Sequence, residues 1–188
     1  MKIKNKRVTW VLGTIVMIGA MVTAAFVALT FGSSGMSLDK LIKCLVSPSS
    51  DPVNAAILFD IRLPRIILAC AIGASLALSG IILQGMFGNP LVEPYTLGVS
   101  GGSALAVSLG ISCGLSKVVP VAVFGFIGAI AMVVFLSVIA RRQNFAMQGL
   151  LLCGVMLSFI SSSLVMLVMA LSQTRDLRQI IFWIMGNL

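Results

Sequence analysis

Long uncharged apolar stretches alternate with short polar ones along this chain. A hydrocarbon core of about 30 Å takes roughly 20 helical residues to cross. Five stretches approach that length: residues 8–31, 66–87, 97–113, 118–140 and 150–171. None contains Lys, Arg, Asp or Glu, so each can enter lipid without the cost of burying a charge. The stretches lack the alternation of barrel strands, and backbone polar groups inside lipid must be paired within the segment, so the spans are helices. The predicted fold is all-α, a polytopic transmembrane helix bundle with about five spanning helices in one domain over residues 1–188. The connections at 89–96, 112–117 and 141–149 are short, which makes neighbouring spans antiparallel and adjacent. The longest polar stretch, 32–65, carries Leu38, Leu41, Ile42 and Leu45 at helical spacing beside Lys40 and Lys43. That spacing predicts a short amphipathic helix at the interface, after which Pro48 and Pro52 break the chain before it re-enters at Pro64.

The apolar stretches also carry packing signals. Gly98, Gly102, Ala106 and Gly110 recur every four residues in the third span, and Ala69, Gly73 and Ala77 do so in the second. Small residues at this spacing let helix backbones approach closely. Ser100, Ser103, Ser108, Ser158, Ser161, Ser162 and Ser163 either line a path for a polar solute or bond back to their own helices.

Composition agrees with a membrane protein: 59% of residues are apolar and 10% charged, against roughly 45–50% and 25% in soluble domains. The four cysteines do not make a disulfide scaffold; Cys70 and Cys153 sit inside apolar runs, and Cys44, Cys70, Cys113 and Cys153 read mainly as small core residues. A net charge of +8 raises the question of nucleic acid. The basic residues, however, cluster at the ends of spans, as lipid-interface anchors do. Lys2, Lys4, Lys6 and Arg7 before the first span favour a cytoplasmic N-terminus. That orientation places Arg141 and Arg142 inside with those four, and Lys40, Lys43, Arg62, Arg65, Lys117, Arg175 and Arg178 outside, which leaves no positive-inside bias and outer arginines that call for a use of their own. The first apolar run is too long for a signal-peptide core and reads as a retained span. Imidazole chemistry is excluded by the absence of His. Asp39, Asp51, Asp60, Glu93 and Asp176 all lie outside the spans, which weakens ion-coupled transport, and no P-loop string occurs.

Two strings interrupt the lipid-compatible sequence. Arg62-Leu63-Pro64-Arg65 opens the second span, and Gln84-Gly85-Met86-Phe87-Gly88-Asn89-Pro90-Leu91-Val92-Glu93-Pro94 closes it, followed by Tyr95-Thr96-Leu97-Gly98-Val99-Ser100-Gly101-Gly102. With Gly73, Leu76 and Gly80 between them, these residues closely resemble the FecCD family, permease subunits of ABC importers for iron-siderophores, haem and cobalamin. Val92 stands where the family pattern has Ala. Downstream, Leu150-Leu151-Leu152-Cys153-Gly154 and Asp176-Leu177-Arg178 with Phe182-Trp183-Ile184-Met185-Gly186-Asn187-Leu188 are similar to further family strings, so the resemblance runs from about Arg62 to the end. It implies about ten spans in the whole permease, of which this chain would be the N-terminal half. The family's coupling helix for the ATPase lies further on, so this part alone is expected neither to couple to ATP nor to transport.

The resemblance implies a multi-pass subunit of the cytoplasmic membrane that pairs with a second permease copy, identical or a close paralogue. Two ATPase subunits using ATP and Mg act from the cytoplasmic side, and an extracytoplasmic binding protein delivers the chelate. The chain itself would hold no cofactor or metal and catalyse no covalent step. Arg62 and Arg65 match the family's arginines that pair with acidic groups of the binding protein; read from the residues alone they are snorkelling anchors with Asp60 as local partner. Asn89, Pro90, Glu93 and Pro94 form a cytoplasmic turn, with contact between Glu93 and the ATPase as the sharper option. Gln84, Gly98, Gly102 and Ser103 belong either to the pathway or to helix packing. Arg178 and Trp183 fall in a short outer helix near the gate, where an interfacial anchor explains Trp183 equally well. The alternative from a different class is an ATP-independent channel or secondary transporter. The strings define the permease class and not the chelate.

Overall fold

The computed structural model describes residues 2–30, 51–143 and 147–186, all-helical and without a strand among them. The interfacial helix expected around Leu38–Leu45 and the last two residues lie outside the described residues. Among the described residues seven α-helices follow in order: α1 Lys2–Thr30, α2 Pro52–Ala56, α3 Leu63–Phe87, α4 Val99–Ser112, α5 Val121–Gln143, α6 Met147–Leu171 and α7 Thr174–Met185. Ile57–Arg62 between α2 and α3 is π-helical, and Pro94–Leu97 and Leu115–Lys117 are single 3-10 turns. The chain divides into two compact units, Met1–Ala74 and Ser75–Leu188.

In the first unit, α1 carries an apolar run from Arg7 to Thr30. Its hydroxyls are satisfied internally: Thr14 donates to the Trp10 carbonyl at 2.9 Å and Thr23 to that of Gly19 at 2.9 Å, as lipid requires. Asp51 starts the next helical run by accepting from the Asn54 N–H at 3.3 Å, with Pro52 in the first turn where its missing donor is harmless. The chain is then helical from Pro52 to Phe87, so Pro64 lies within a helix rather than marking re-entry. The reason is the π-helical stretch. The Leu63 N–H reaches back five residues to the Leu58 carbonyl, and the widened turn makes room for a proline ring that would otherwise crowd the Asp60 carbonyl.

The second unit is organised around α4. Only 14 residues long, this helix spans about 21 Å, short of a hydrocarbon core; the five expected spans become four long apolar helices and one shorter one. Gly98 at φ 78° separates the preceding 3-10 turn from α4, and Gly114 at φ 72° follows its end. These left-handed residues stop the helix at both ends. α5 runs antiparallel to α4, with Gly102 against Gly128 and Gly110 against Phe124. α6 runs parallel to it, with Gly98 beside Gly154 at one end and Ser112 Oγ 2.8 Å from Ser172 Oγ at the other. The core lies here: Val107, Ile111 and Ile180 are buried, with Val121, Phe124, Val168, Met169 and Trp183 around them. Elsewhere large apolar side chains face outward, among them Phe126, Phe135, Leu152 and Phe159, as expected where lipid replaces water. That also corrects the reading of the cysteines as core residues. Cys70 and Cys113 are exposed and Cys153 half-buried, because in a membrane span apolarity marks lipid-facing and core positions alike.

Candidate functional site

The first unit sets the geometry of the R-L-P-R string. Leu58, 2% exposed, packs against Leu29 and Ile57. Four residues on, the Arg62 guanidinium donates through Nη1 to the Leu29 carbonyl and to the Thr30 carbonyl at 3.5 Å. Arg62 is half-buried and Arg65 exposed. The two arginines therefore differ in surroundings although they lie one turn apart. Asp60, the expected local partner, is exposed and forms no ion pair among the described residues.

In the second unit, the residues from Gln84 to Gly98 build a compact turn. Gly88 takes φ 59°. The Asn89 side chain then accepts from the Leu91 N–H at 2.9 Å, and its carbonyl accepts from the Val92 N–H at 3.3 Å. This is the local side-chain bonding that makes Asn a turn former. Val92 is buried at 2% exposure, while the Glu93 side chain is exposed. Gln84 donates through Nε2 to the carbonyls of Pro90 at 3.2 Å and Val92 at 3.4 Å. Its amide thus ties the end of α3 to the loop. The Glu93 carbonyl accepts from both the Thr96 N–H at 3.1 Å and its hydroxyl at 2.7 Å, starting the 3-10 turn at Pro94.

Close backbone contact fixes the rest. A Cβ on Gly102 would lie 2.8 Å from the Gly128 carbonyl oxygen, and one on Gly154 2.5 Å from that of Thr96. Gly98 and Gly102 thus belong to helix contacts, with α5 and α6 on two sides of α4. Ser108, Ser158 and Ser163 bond back to the carbonyls of Ala104, Gly154 and Phe159. Ser103 instead faces an open groove of about 420 Å³, where α7 returns alongside α4. Pro94, Tyr95, Ser100 and Trp183 line the same groove. Gly125 makes room for it: a Cβ there would meet Ser103 Oγ at 3.0 Å and the Trp183 ring at 3.2 Å. Arg178 lies on another face of α7, lining a hollow of about 600 Å³ with Thr174, Arg175, Gln179 and Phe182.

The structure thus brings Ser103, Pro94 and Trp183 together and places Arg178 apart from them. Gly125 and Gly128 were not singled out in the sequence; Gly125 with Ala129 has the four-residue small-residue spacing, and Gly128 lies off it. Among the described residues no three Cys, Asp or Glu side chains are grouped closely enough to hold a metal ion.

Long uncharged helices, packed backbone to backbone through glycine with a short helix folded back against them, define a polytopic helical membrane protein. The chain belongs to the FecCD transport family, which it matches over residues 9–188. It is 38% identical over 175 residues to the molybdate import system permease protein MolB of Haemophilus influenzae, covering 89% of this chain and 51% of that protein. It is 34% identical over 168 residues to the hemin transport system permease protein HmuU of Yersinia pestis, covering 86% and 50%. A solved structure described as an inward-facing metal-chelate type ABC transporter superposes with a TM-score of 0.73 at 33% identity, over 95% of this chain and 54% of that one. The chain thus spans about half the length of the curated relatives it matches.

Proposed function

We propose that this chain is part of the permease of an ABC importer that moves an iron-siderophore, haem, cobalamin or related metal chelate across the cytoplasmic membrane. The N-terminus is on the cytoplasmic side and the R-L-P-R string outside. Two permease copies line the path, two ATPase subunits hydrolyse ATP with Mg on the inner side, and an extracytoplasmic binding protein docks on the outer side. The chain supplies no catalytic group; it holds a gated path and passes on the conformational change.

The observation that carries this reading is the arrangement of motifs along α3. Its 25 residues give about 37 Å of helix, enough to put the arginine pair at one membrane face and the Asn89–Pro94 turn at the other. One end then offers guanidinium groups to an acidic partner, and the other a rigid turn with the Glu93 side chain exposed toward the ATPase. The groove at Ser103 and Trp183 lies where α7 folds back, suiting a gate. MolB is named for molybdate import, so an oxyanion belongs in any panel of cargoes beside the chelates.

Native mass spectrometry on the full-length permease tests the assembly. Purified through a permease tag with its cognate ATPase and binding protein, it should give two permeases with two ATPases, and should take up the binding protein. A permease that isolates with neither partner would overturn the reading.

A further inference from the structure

The two arginines of the R-L-P-R string stand in different surroundings, and the difference has a chemical meaning. Arg62 donates to the carbonyls of Leu29 and Thr30, the last two described residues of α1. A guanidinium there supplies several donors in a fixed plane and a full positive charge. Beside it, Leu58 is almost fully buried against Leu29. Leu58 and Arg62, on one face of the π-helical segment, thus engage α1 at Leu29 and Thr30 by an apolar and a polar contact together. The segment is π-helical where Pro64 follows, so its geometry is set by the same string that supplies the arginine. Arg65, one turn later, is exposed.

We propose that the two arginines divide their work: Arg62 fastens α1, at Leu29 and Thr30, to the π-helical segment and is a positioning residue, and Arg65 alone of the pair presents charge to the docking partner. This rests on the docking reading given above. Charge reversal at the two positions then acts through different causes, loss of a helix junction at one and loss of attraction at the other.

Disulfide trapping tests it. In a version without native cysteines, Leu29→Cys with Leu58→Cys reports the junction, measured in membranes, and binding-protein affinity is measured on the full-length permease. Arg62→Gln should lower the trapped fraction at least about fivefold, as expected for losing hydrogen bonds from a charged donor. Arg62→Lys should restore most of it, and Arg65→Gln should leave it unchanged. Arg65→Gln should weaken binding-protein affinity about tenfold and flatten its salt dependence. Arg62→Gln should also weaken affinity, yet its trapped, disulfide-locked fraction should regain it, since the lock replaces the junction. An unchanged trapped fraction in Arg62→Gln, or a locked Arg62→Gln protein that stays weak, would overturn the division. Should Arg65→Gln and Arg65→Glu both leave affinity unchanged while Arg62→Gln still lowers trapping, the docking reading falls and the junction stands.

Discussion

Gly128 has no room for a side chain, because a Cβ there would press on the Gly102 carbonyl and lie 2.5 Å from the Ala106 Cβ. Helix α5 touches α4 backbone to backbone at that point, and neither backbone can yield without moving the helix. Gly128→Ala should therefore destabilise the bundle by about 1–3 kcal/mol, the usual cost of overpacking a close contact. Gly13, with nothing within 4 Å of its virtual Cβ, is the control. Gly13→Ala should be neutral or stabilising by about 0.5–1 kcal/mol through helix propensity. Thermal unfolding in detergent compares the two, and equal behaviour would refute the close approach. Gln84 offers a second residue-level test. Its amide holds the carbonyls of Pro90 and Val92, so Gln84→Leu should cost about 1–2 kcal/mol for two lost hydrogen bonds. The loss should appear as faster protease cleavage within residues 88–93, with no change expected if the loop holds itself.

At the level of elements, α7 depends on a single buried residue. Ile180 is fully buried among Val107 and Ile111, while Gln179 beside it is exposed. An unpaired carboxylate at position 180 would have to leave that environment or take up a proton. In a Trp10→Phe background Trp183 is the sole tryptophan. Ile180→Asp should then shift its emission to the red as the ring leaves Gly125, whereas Gln179→Asp should not; matching spectra would mean that α7 does not seat this way. The long helices were legible in the sequence because an absence of charge over some 20 residues has few other meanings. The Asn89–Pro94 turn was legible because its chemistry is local. The shortening of α4 was not, since Gly98 serves both as a packing residue and as a left-handed stop, and spacing alone does not separate the two. Nor was the junction at Arg62, whose partner lies 33 residues earlier, or the seat of Trp183 on Gly125. Both join residues distant in sequence, and no periodicity records which helix a side chain will meet.

For the whole molecule, the proposed topology has each connection on a definite side of the membrane. Cys113 is exposed just after α4, and with the N-terminus inside, that end of α4 lies outside. A single-cysteine version retaining Cys113 should react with a membrane-impermeant maleimide in intact cells, whereas labelling only after lysis would invert the topology. Such a protein can still be an importer driven by ATP or a path that works without it, and the absence of carboxylates from the predicted spans favours the former. The deciding measurement is uptake into proteoliposomes holding the full-length permease and its cognate ATPase, with binding protein on the outside and Mg-ATP or a non-hydrolysable analogue within. Ferric siderophore, haem, cobalamin and molybdate are offered in turn. One of them should accumulate, and its accumulation should require both the binding protein and hydrolysable ATP. Equal uptake with the analogue, or uptake without binding protein, would contradict it and assign the chain to a channel or secondary transporter.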